Sequence, residues 1–295
     1  MKLKKFLSTL FGVLFTGLLL LTSKATFAAT YALPNNGDNV VGQAQVIKVK
    51  ANDNLHKIAR RYDVGYDELV LANPLINPDK IYIGQEIYIP SIYIIPTPLK
   101  VPSITINIAE KRLYYYVDNN TVFTAPIAVG RTGWETPVAK TFVTRKVEQP
   151  YWRVPKVIQA YNQKQGKSTP DLIPPGKNNP LGLYAITLNL PDYILHGTND
   201  PTTIGKNISA GCVRMYPEDI QQLFAIISIG TLVNIVNKPY KVGRLNKHFY
   251  IEVASTKNAE KILQNILQDN PNLIIKNTNI LTIIQQGKGI PQQVS

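Results

Sequence analysis

One cysteine and three histidines are the side chains of this 295-residue chain best suited to nucleophilic chemistry. Cys212 follows Gly211, and glycine permits a tight turn that presents the next side chain and leaves room for a substrate carbonyl. A thiol with a pKa of about 8.5 needs a base or a cation to become a thiolate. His196, at the end of a predicted strand, is the candidate base, because imidazole titrates close to neutral pH. The pattern predicts a cysteine nucleophile activated by histidine.

Three further side chains each have two interpretations. Arg214 lies two residues after Cys212, where its guanidinium could lower the thiol pKa or bind a substrate carboxylate through paired donors. Ser209 could hydrogen-bond a substrate or hold the turn. Trp152 could line a substrate groove or anchor its own loop. A lone cysteine is most often a small buried hydrophobic residue, and the neighbours of Cys212 favour the catalytic interpretation over that one.

Metal, cofactor and nucleic-acid chemistry have no motif in the sequence. A single cysteine excludes an internal disulfide and a multi-cysteine metal site, and His56, His196 and His248 lie at least 52 residues apart. We therefore expect no metal and no cofactor. The net charge is +13 without a helix-turn-helix or RNA-binding motif, so an anionic envelope polymer or membrane surface is a better partner than nucleic acid. An ordinary solvated surface also explains the charge.

The first 28 residues predict a secretory signal sequence. Three lysines within the first five residues precede an almost wholly apolar run at residues 6–21, and small residues follow up to Ala28 and Ala29. The alternative is an uncleaved membrane anchor, but a 16-residue core is short for a span of about 20 residues. We expect cleavage near Ala28 and a location outside the cytoplasm.

A small strand–helix–helix–strand module is predicted at residues 46–90, after a polar linker at residues 29–45. The apolar residues of its first helix recur at helical spacing, with Asp53 or Asn54 as the N-cap. The runs at residues 46–50, 53–62, 69–74 and 81–90 resemble a LysM module. The resemblance implies affinity for glycans that contain N-acetylglucosamine, such as peptidoglycan. His56 is expected on the helix surface without a chemical role.

The larger part of the chain is predicted to be mainly β, in a protein that is α+β overall. A proline-rich linker at residues 91–102 precedes residues 103–237, where short apolar runs alternate and end at Gly, Pro or Asn. Residues 150–180 hold six prolines and break the strand pattern, which favours a lid over a disordered segment. Residues 238–295 form a C-terminal extension without a functional account.

The stretch from His196-Gly-Thr-Asn to Ser209-Ala-Gly-Cys-Val-Arg resembles the signature of the L,D-transpeptidase (YkuD) catalytic domain, the ErfK/YbiS/YcfS/YnhG family. Residues 104–116 and 174–184, and Gly130 followed by Thr136-Pro137, are similar to further segments of that family. The resemblance implies a β-sandwich catalytic domain and a periplasmic enzyme. Many members have His immediately before the glycine, whereas this chain has Ala210, so a role for that second imidazole is lost.

Roles for individual residues follow from the resemblance. Cys212 is the implied nucleophile, His196 the general base and acid, and the carbonyl of Gly197 the group that orients the imidazole. The N–H groups around Gly211 and Cys212 are the implied oxyanion hole. The thiolate would attack the third residue of a peptidoglycan tetrapeptide stem and expel the terminal D-Ala.

The implied thioester has three fates, which the motif does not distinguish. Another stem's amine gives a 3-3 cross-link, a lysine of an outer-membrane lipoprotein gives an anchored protein, and water gives carboxypeptidation. The expected partners are therefore stem peptides, glycan and a lipoprotein acceptor. The alternatives to a transpeptidase are a carboxypeptidase or wall-peptide hydrolase and a non-catalytic wall-binding protein.

Overall fold

The computed structural model describes residues 29–34, 37–271, 273 and 279–294, so the predicted signal sequence at residues 1–28 lies outside them. The strands are β1 (Ala29–Ala32), β2 (Val40–Gly42), β3 (Gln45–Lys48), β4 (Glu86–Ile89), β5 (Ile92–Ile94), β6 (Ser103–Asn107), β7 (Arg112–Tyr116), β8 (Thr121–Gly130), β9 (Ala139–Glu148), β10 (Trp152–Arg153), β11 (Leu172–Ile173), β12 (Tyr184–Leu188), β13 (Ile194–His196), β14 (Asn207–Ser209), β15 (Val213–Met215), β16 (Leu232–Val236), β17 (Tyr240–Leu245), β18 (His248–Val253) and β19 (Gln292–Gln293). The helices are α1 (Leu55–Arg61), α2 (Tyr66–Ala72), α3 (Lys156–Lys164), α4 (Pro217–Ile226), α5 (Ala259–Asp269) and α6 (Asn279–Gln286), with a 3-10 turn at Pro201–Thr203. Within this described part, no helix combines the length and hydrophobicity needed to cross a membrane.

Two long strands, β8 and β9, join two sheets around one core. The first part of β8 pairs with β7 and β1, and its residues 127 and 128 pair with β15. Likewise β9 pairs with β16 through residues 139–142 and with β12 through residues 143–148. Side chains from both sheets, including Phe123, Ile127 and Val143, are fully buried between them. Strands that change sheets in this way form the corners of a β-sandwich, and the mainly β prediction is confirmed.

The predicted strand–helix–helix–strand module forms a separate small core. Strands β3 and β4 are antiparallel, and the two helices bury Leu55, Ile58 and Leu69 against them. Asn54 is the N-cap of α1, because its Oδ1 accepts a hydrogen bond of 2.9 Å from the Lys57 N–H. At the other end of the module, Asn73 makes hydrogen bonds of 2.8 Å to the backbone of β4 and to the last turn of α2.

The segments assigned as linkers contain short strands of the fold. β1, within residues 29–45, pairs with β8 at the edge of the sandwich, and β2 pairs with β5 of residues 91–102. Sequence patterns missed these pairings because strands of three or four residues carry little periodicity. The lid likewise contains β10, α3 and β11.

The C-terminal extension packs as a small sheet with helices and joins the sandwich through a buried charged cluster. β17, β18 and β19 pair in that order, and the extension buries Ile251, Ile262 and Ile284 in its own core. Lys241 of β17 lies 2.5 Å from Glu110 of the sandwich and 3.1 Å from Glu252. The ion pair between Lys241 and Glu110 ties the extension to the sandwich, because losing the lysine would leave a buried carboxylate unpaired.

Candidate active site

A cavity of about 700 Å³ collects the side chains that sequence reasoning proposed for chemistry. Cys212, His196, Arg214, Ser209 and Trp152 all border it. The first four come from the adjacent segments 194–196 and 209–214, and Trp152 comes from the lid. Residues that are distant in sequence therefore share one opening, as a cysteine–histidine mechanism requires.

Strand register places the thiol and the imidazole on the same face of the sheet. β13 and β15 are parallel neighbours, with Leu195 opposite Val213 and His196 opposite Arg214. Cys212 precedes Arg214 by two positions, and side chains two residues apart along a strand point to the same side. Cys212 immediately precedes β15, and Cys212, Arg214 and His196 all border the same cavity.

The turn before Cys212 depends on glycine. Gly211 has a φ of +107°, in the region that favours glycine, and a Cβ at this position would lie 2.7 Å from Cε1 of Tyr193. The carbonyl of Gly211 accepts a hydrogen bond of 2.7 Å from the Thr136 hydroxyl, whose oxygen also accepts the Gly130 N–H at 2.9 Å. These contacts fix the direction in which Cys212 leaves the turn.

Ser209 holds this turn from the inside. Its side chain is buried, its hydroxyl donates to the Cys212 carbonyl at 2.5 Å, and its oxygen accepts the Gly211 N–H at 3.1 Å. These are the contacts that the turn-holding interpretation of Ser209 requires, and a substrate contact stays a prediction. The same hydrogen bond occupies the Gly211 N–H, which leaves the Cys212 N–H as the remaining donor of the implied oxyanion hole.

The Cys212 side chain is a half-buried thiol with a raised pKa. Its Sγ lies 3.4 Å from the Asp192 carbonyl, to which the thiol donates, and no thiol–imidazole hydrogen bond is present among the described residues. Burial raises the pKa of Cys212, while the Ile194 N–H and the Arg214 charge lower it by smaller amounts. Arg214 therefore acts on the thiol in the predicted direction, but desolvation outweighs it.

His196 is buried and neutral at physiological pH. Burial, reinforced by the nearby positive charge of Arg214, lowers the pKa of His196 to about 3. The carbonyls of Gly197 and Leu181 act in the opposite direction and raise this pKa. Nδ1 of the ring is buried and has no hydrogen-bond partner of good geometry within the described structure.

Two arginines give the cavity a positive side. The Nε of Arg214 is buried without a hydrogen-bond partner, and neither Arg214 nor Arg131 has a salt bridge within the described residues. Burial lowers the pKa of Arg214, and the charge of Arg131 adds to this effect. A guanidinium in such surroundings is suited to bind a carboxylate. The carboxylate charge would offset both the cost of burying the Arg214 charge and its repulsion by Arg131.

Aromatic side chains connect the lid to the opposite wall of the cavity. The guanidinium of Arg131 lies over the rings of Trp134 and Tyr161, at 5.0 and 4.6 Å from their centroids. Tyr161 belongs to α3 of the lid, and its ring meets that of Trp134 edge-on at 5.8 Å. Sequence reasoning missed Arg131, Trp134 and Tyr161, because their partnership spans about 30 residues and has no local motif.

The base of the lid is closed by a buried asparagine. Nδ2 of Asn179 donates to the Pro150 carbonyl at 2.8 Å and to the Pro174 carbonyl at 3.2 Å. Its Oδ1 accepts the Leu181 N–H at 2.9 Å. One side chain thus joins both ends of residues 150–180, which is why the lid can be proline-rich and still have a defined position over the cavity.

Comparison with known proteins identifies the modules. The L,D-transpeptidase catalytic domain model (YkuD) matches residues 102–235, and the LysM domain model matches residues 47–90. "Probable L,D-transpeptidase ErfK/SrfK" of Salmonella typhimurium is 38% identical over 226 residues, which cover 75% of this chain and 72% of that protein. "Probable L,D-transpeptidase YcfS" of Escherichia coli is 39% identical over 223 residues, with 73% and 69% of the two chains covered.

The mainly β domain, its cysteine and its LysM companion define a cysteine-dependent acyltransferase with a wall-binding module. The chain belongs to the L,D-transpeptidase family, as the two relatives and the domain match show. It is a peptidoglycan L,D-transpeptidase, so the predicted family and activity are confirmed, and the hydrolase and non-catalytic alternatives are not favoured. Both domains support binding to peptidoglycan, and the family is consistent with an extracytoplasmic location.

Proposed function

We propose that Cys212 attacks the carbonyl of the third residue of a tetrapeptide stem and forms a thioester on the enzyme. The Cys212 proton passes to His196 while the S–C bond forms, and His196 then gives it to the nitrogen of the departing D-Ala as the C–N bond breaks. An incoming amine then attacks the thioester carbonyl and loses a proton to His196 as the C–N bond forms. The C–S bond breaks, and His196 returns that proton to the sulfur, which regenerates the Cys212 thiol and the neutral imidazole. The observation that carries this proposal is the shared face of Cys212 and His196 in one cavity.

The protonation states favour proton transfer during attack over a preformed ion pair. The thiol pKa of Cys212 is raised and the imidazole pKa of His196 is lowered, so both groups are neutral before substrate binds. A neutral imidazole is ready to accept a proton at any pH above its pKa. A substrate carboxylate that pairs with Arg214 would screen its charge from His196 and increase the basicity of the imidazole where it is needed.

Donor recognition is proposed to involve both arginines and the lid. The third stem residue, diaminopimelate, carries a carboxylate on its side chain, and the unpaired guanidinium of Arg214 offers paired donors for such a group. Arg131 extends this positive side toward Tyr161 of the lid. Trp152 contributes an apolar surface to the same cavity. The Cys212 N–H is the proposed oxyanion donor.

The acceptor is proposed to be an amine outside this chain, either on a second stem or on a lysine of an outer-membrane lipoprotein. Both reach the thioester through the same opening, and the LysM module would keep the enzyme on the glycan during the encounter. The proposed location is the periplasm, after removal of residues 1–28 by a signal peptidase, which cleaves after small residues such as Ala28. Peptidoglycan biosynthesis and maintenance of cell shape are the proposed biological roles.

Intact mass spectrometry with a purified tetrapeptide stem tests the acyl-enzyme. The wild-type enzyme should gain the mass of the stem less D-Ala, and Cys212→Ala should gain none because the attacking sulfur is absent. His248→Gln is a matched control, since His248 lies on β18 of the C-terminal extension, outside the cavity. Turnover by Cys212→Ala would overturn the proposed mechanism.

Digestion of wall from strains with and without the gene separates the acceptors. A stem acceptor predicts 3-3 linked fragments that depend on the gene, and a lipoprotein acceptor predicts stems that carry a lysine-linked peptide. Trimmed stems without either product would reject transfer to an amine.

A further inference from the structure

The nitrogen of Ala29 lies at a buried carboxyl pair between the LysM module and the catalytic domain. The Ala29 N–H donates to Oδ2 of Asp63 at 2.9 Å, while β1 begins at the same residue and pairs Ala29 with Thr124 of β8. Asp63 follows α1 of the LysM module, and Asp219 belongs to α4 of the catalytic domain. The carboxyl groups of Asp63 and Asp219 lie close enough to influence each other's pKa, and both are almost fully buried.

The cations at this junction already have carboxylate partners. Arg60 makes two hydrogen bonds to Glu218, at 2.7 and 2.8 Å, across the two domains. Arg112 lies 3.0 Å from Glu68, also across the two domains. The hydrogen bond from Arg112 to Asp63 reaches the main-chain carbonyl, at 3.3 Å, and the Arg112 charge acts on the Asp63 carboxyl group without a salt bridge. Each arginine thus pairs with a glutamate, and neither forms a salt bridge with the two aspartates.

The aspartate pair lacks a directly paired cation and has too few hydrogen-bond donors. Among the described residues no salt bridge reaches Asp63 or Asp219, and Oδ1 of Asp63 and Oδ2 of Asp219 are buried without hydrogen-bond partners. Burial raises the pKa of Asp63 to about 7, although Arg112 opposes this. Burial, aided by the charge of Asp63, also raises the pKa of Asp219. Two unsatisfied carboxyl oxygens next to one amide N–H are a costly arrangement in a folded interior.

We propose that the Asp63–Asp219 pair is the binding site for the α-ammonium group that signal-peptide removal creates at Ala29. Hydrolysis of the Ala28–Ala29 bond by a signal peptidase consumes one water and leaves a carboxylate on Ala28 and a protonated amine on Ala29. The amide donates one hydrogen bond and has no charge, whereas the ammonium has three donors and a unit positive charge. Processing therefore supplies both things that the carboxyl pair lacks.

The pairing would couple processing to assembly of the two domains. Ala29 is the first residue of β1, and its neighbour Thr30 contacts Gln222 of α4 at 3.4 Å. An ammonium held by Asp63 and Asp219 would thus fasten β1, the LysM module and α4 at one point. A charge-assisted hydrogen bond is shorter and stronger than the amide bond it replaces. The mature chain is expected to have a firmer junction than the precursor.

The inference rests on the proposed cleavage after Ala28, and two experiments keep its failure separate from failure of that cleavage. N-terminal mass analysis of the exported protein tests the cleavage site alone, and any first residue other than Ala29 would reject it. The carboxyl pair itself is tested on a chain that begins at Ala29 with a free amine. Such a chain is made by cleaving off a fusion partner at a site that leaves no extra residue before Ala29. A matched chain carries Gly-Ser before Ala29.

The rate of carbamylation by cyanate at pH 7 reports the pKa of the α-amine and therefore whether the carboxyl pair binds its protonated form. Cyanate reacts with the neutral amine, and a pKa raised by about one unit reduces that form about tenfold at a given pH. We expect the α-amine of the folded Ala29 chain to react at least about tenfold more slowly than that of the Gly-Ser chain. Equal rates would overturn the proposal.

Substitutions distinguish pairing from simple burial. Asp63→Asn should restore fast carbamylation, because it removes the charge and keeps the shape, whereas mere steric protection would survive it. Asp67→Asn is the control, since Asp67 lies on the same module and pairs with Lys111 instead, at 3.6 Å. The Ala29 chain should also melt at a higher temperature than the Gly-Ser chain. When both chains carry Asp63→Asn, the difference between their melting temperatures should vanish. A difference that persists would contradict the pairing.

Discussion

Replacement of Arg214 by glutamine should raise the pKa of His196 without returning it to the ordinary imidazole value of about 6.5. Two causes lower this pKa, burial of the ring first and the Arg214 charge second. The substitution removes only the second cause. The ring should therefore titrate above the wild-type value of about 3 and still below about 6.5.

The low pKa of His196 also makes folding depend on pH. In the unfolded chain the imidazole takes up a proton as the pH falls below about 6.5, whereas in the folded chain it stays neutral down to about 3. The unfolded state then binds more protons, so stability decreases as the pH falls through this window. Integration from pH 8 to pH 5 gives a loss of about 2 kcal/mol from His196 alone.

NMR of the histidine rings measures the pKa directly, because the chain has only three histidines. Chemical denaturation at pH 8 and pH 5 measures the linked stability in wild type and in His196→Gln, which cannot take up the proton. The wild type should lose about 2 kcal/mol more than the variant between the two pH values. His248→Gln is the control, since His248 lies on β18 outside the active-site cavity. A His196 ring that titrates near 6.5, or equal losses in both proteins, would refute the reasoning.

Two further substitutions test the turn and the lid. Gly211→Ala should cost about 1–3 kcal/mol of stability and slow acyl-enzyme formation, since its Cβ would meet Tyr193 at 2.7 Å. The control is the exposed Gly84→Ala, which is also at positive φ (+83°) but has nothing within 4 Å of the added Cβ, and it should leave the acylation rate unchanged. Similar acylation rates for both variants would contradict this role of Gly211. Tyr161→Leu should raise KM for the stem with little change in kcat, because it removes a cation–π contact of about 0.5–2 kcal/mol to Arg131; unchanged steady-state kinetics would contradict the lid assignment.

The electrostatics of the site suggest why a cationic residue lies so close to the base. The charge of Arg214 makes His196 less basic in the free enzyme, at a cost to the reactivity of the imidazole. It also lowers the pKa of Cys212, although burial outweighs it. A carboxylate bound to Arg214 would change both effects at once. Enzyme without substrate would then hold an unreactive thiol, which protects the only cysteine of the chain from side reactions.

Much of the fold could be predicted from local patterns. Alternation of apolar residues predicted most strands of the sandwich, and helical spacing predicted α1, whose buried side chains include Leu55 and Ile58. The short strands β1, β2 and β5 were missed, as were β10, α3 and β11 inside the lid. These elements are defined by partners elsewhere in the chain, and a few residues contain too little periodicity to reveal them.

The sequence alone determined the chemistry available to this protein. A glycine before the only cysteine, a histidine at a strand end and an arginine two residues further on are local facts, and they sufficed for the family resemblance. The tertiary structure decided what these groups do to one another. It buried His196 beside Arg214, placed Ser209 inside the turn, and brought Ala29 to a carboxyl pair. Burial and the distance between charges set a pKa and a hydrogen bond, and both arise only when distant segments pack together.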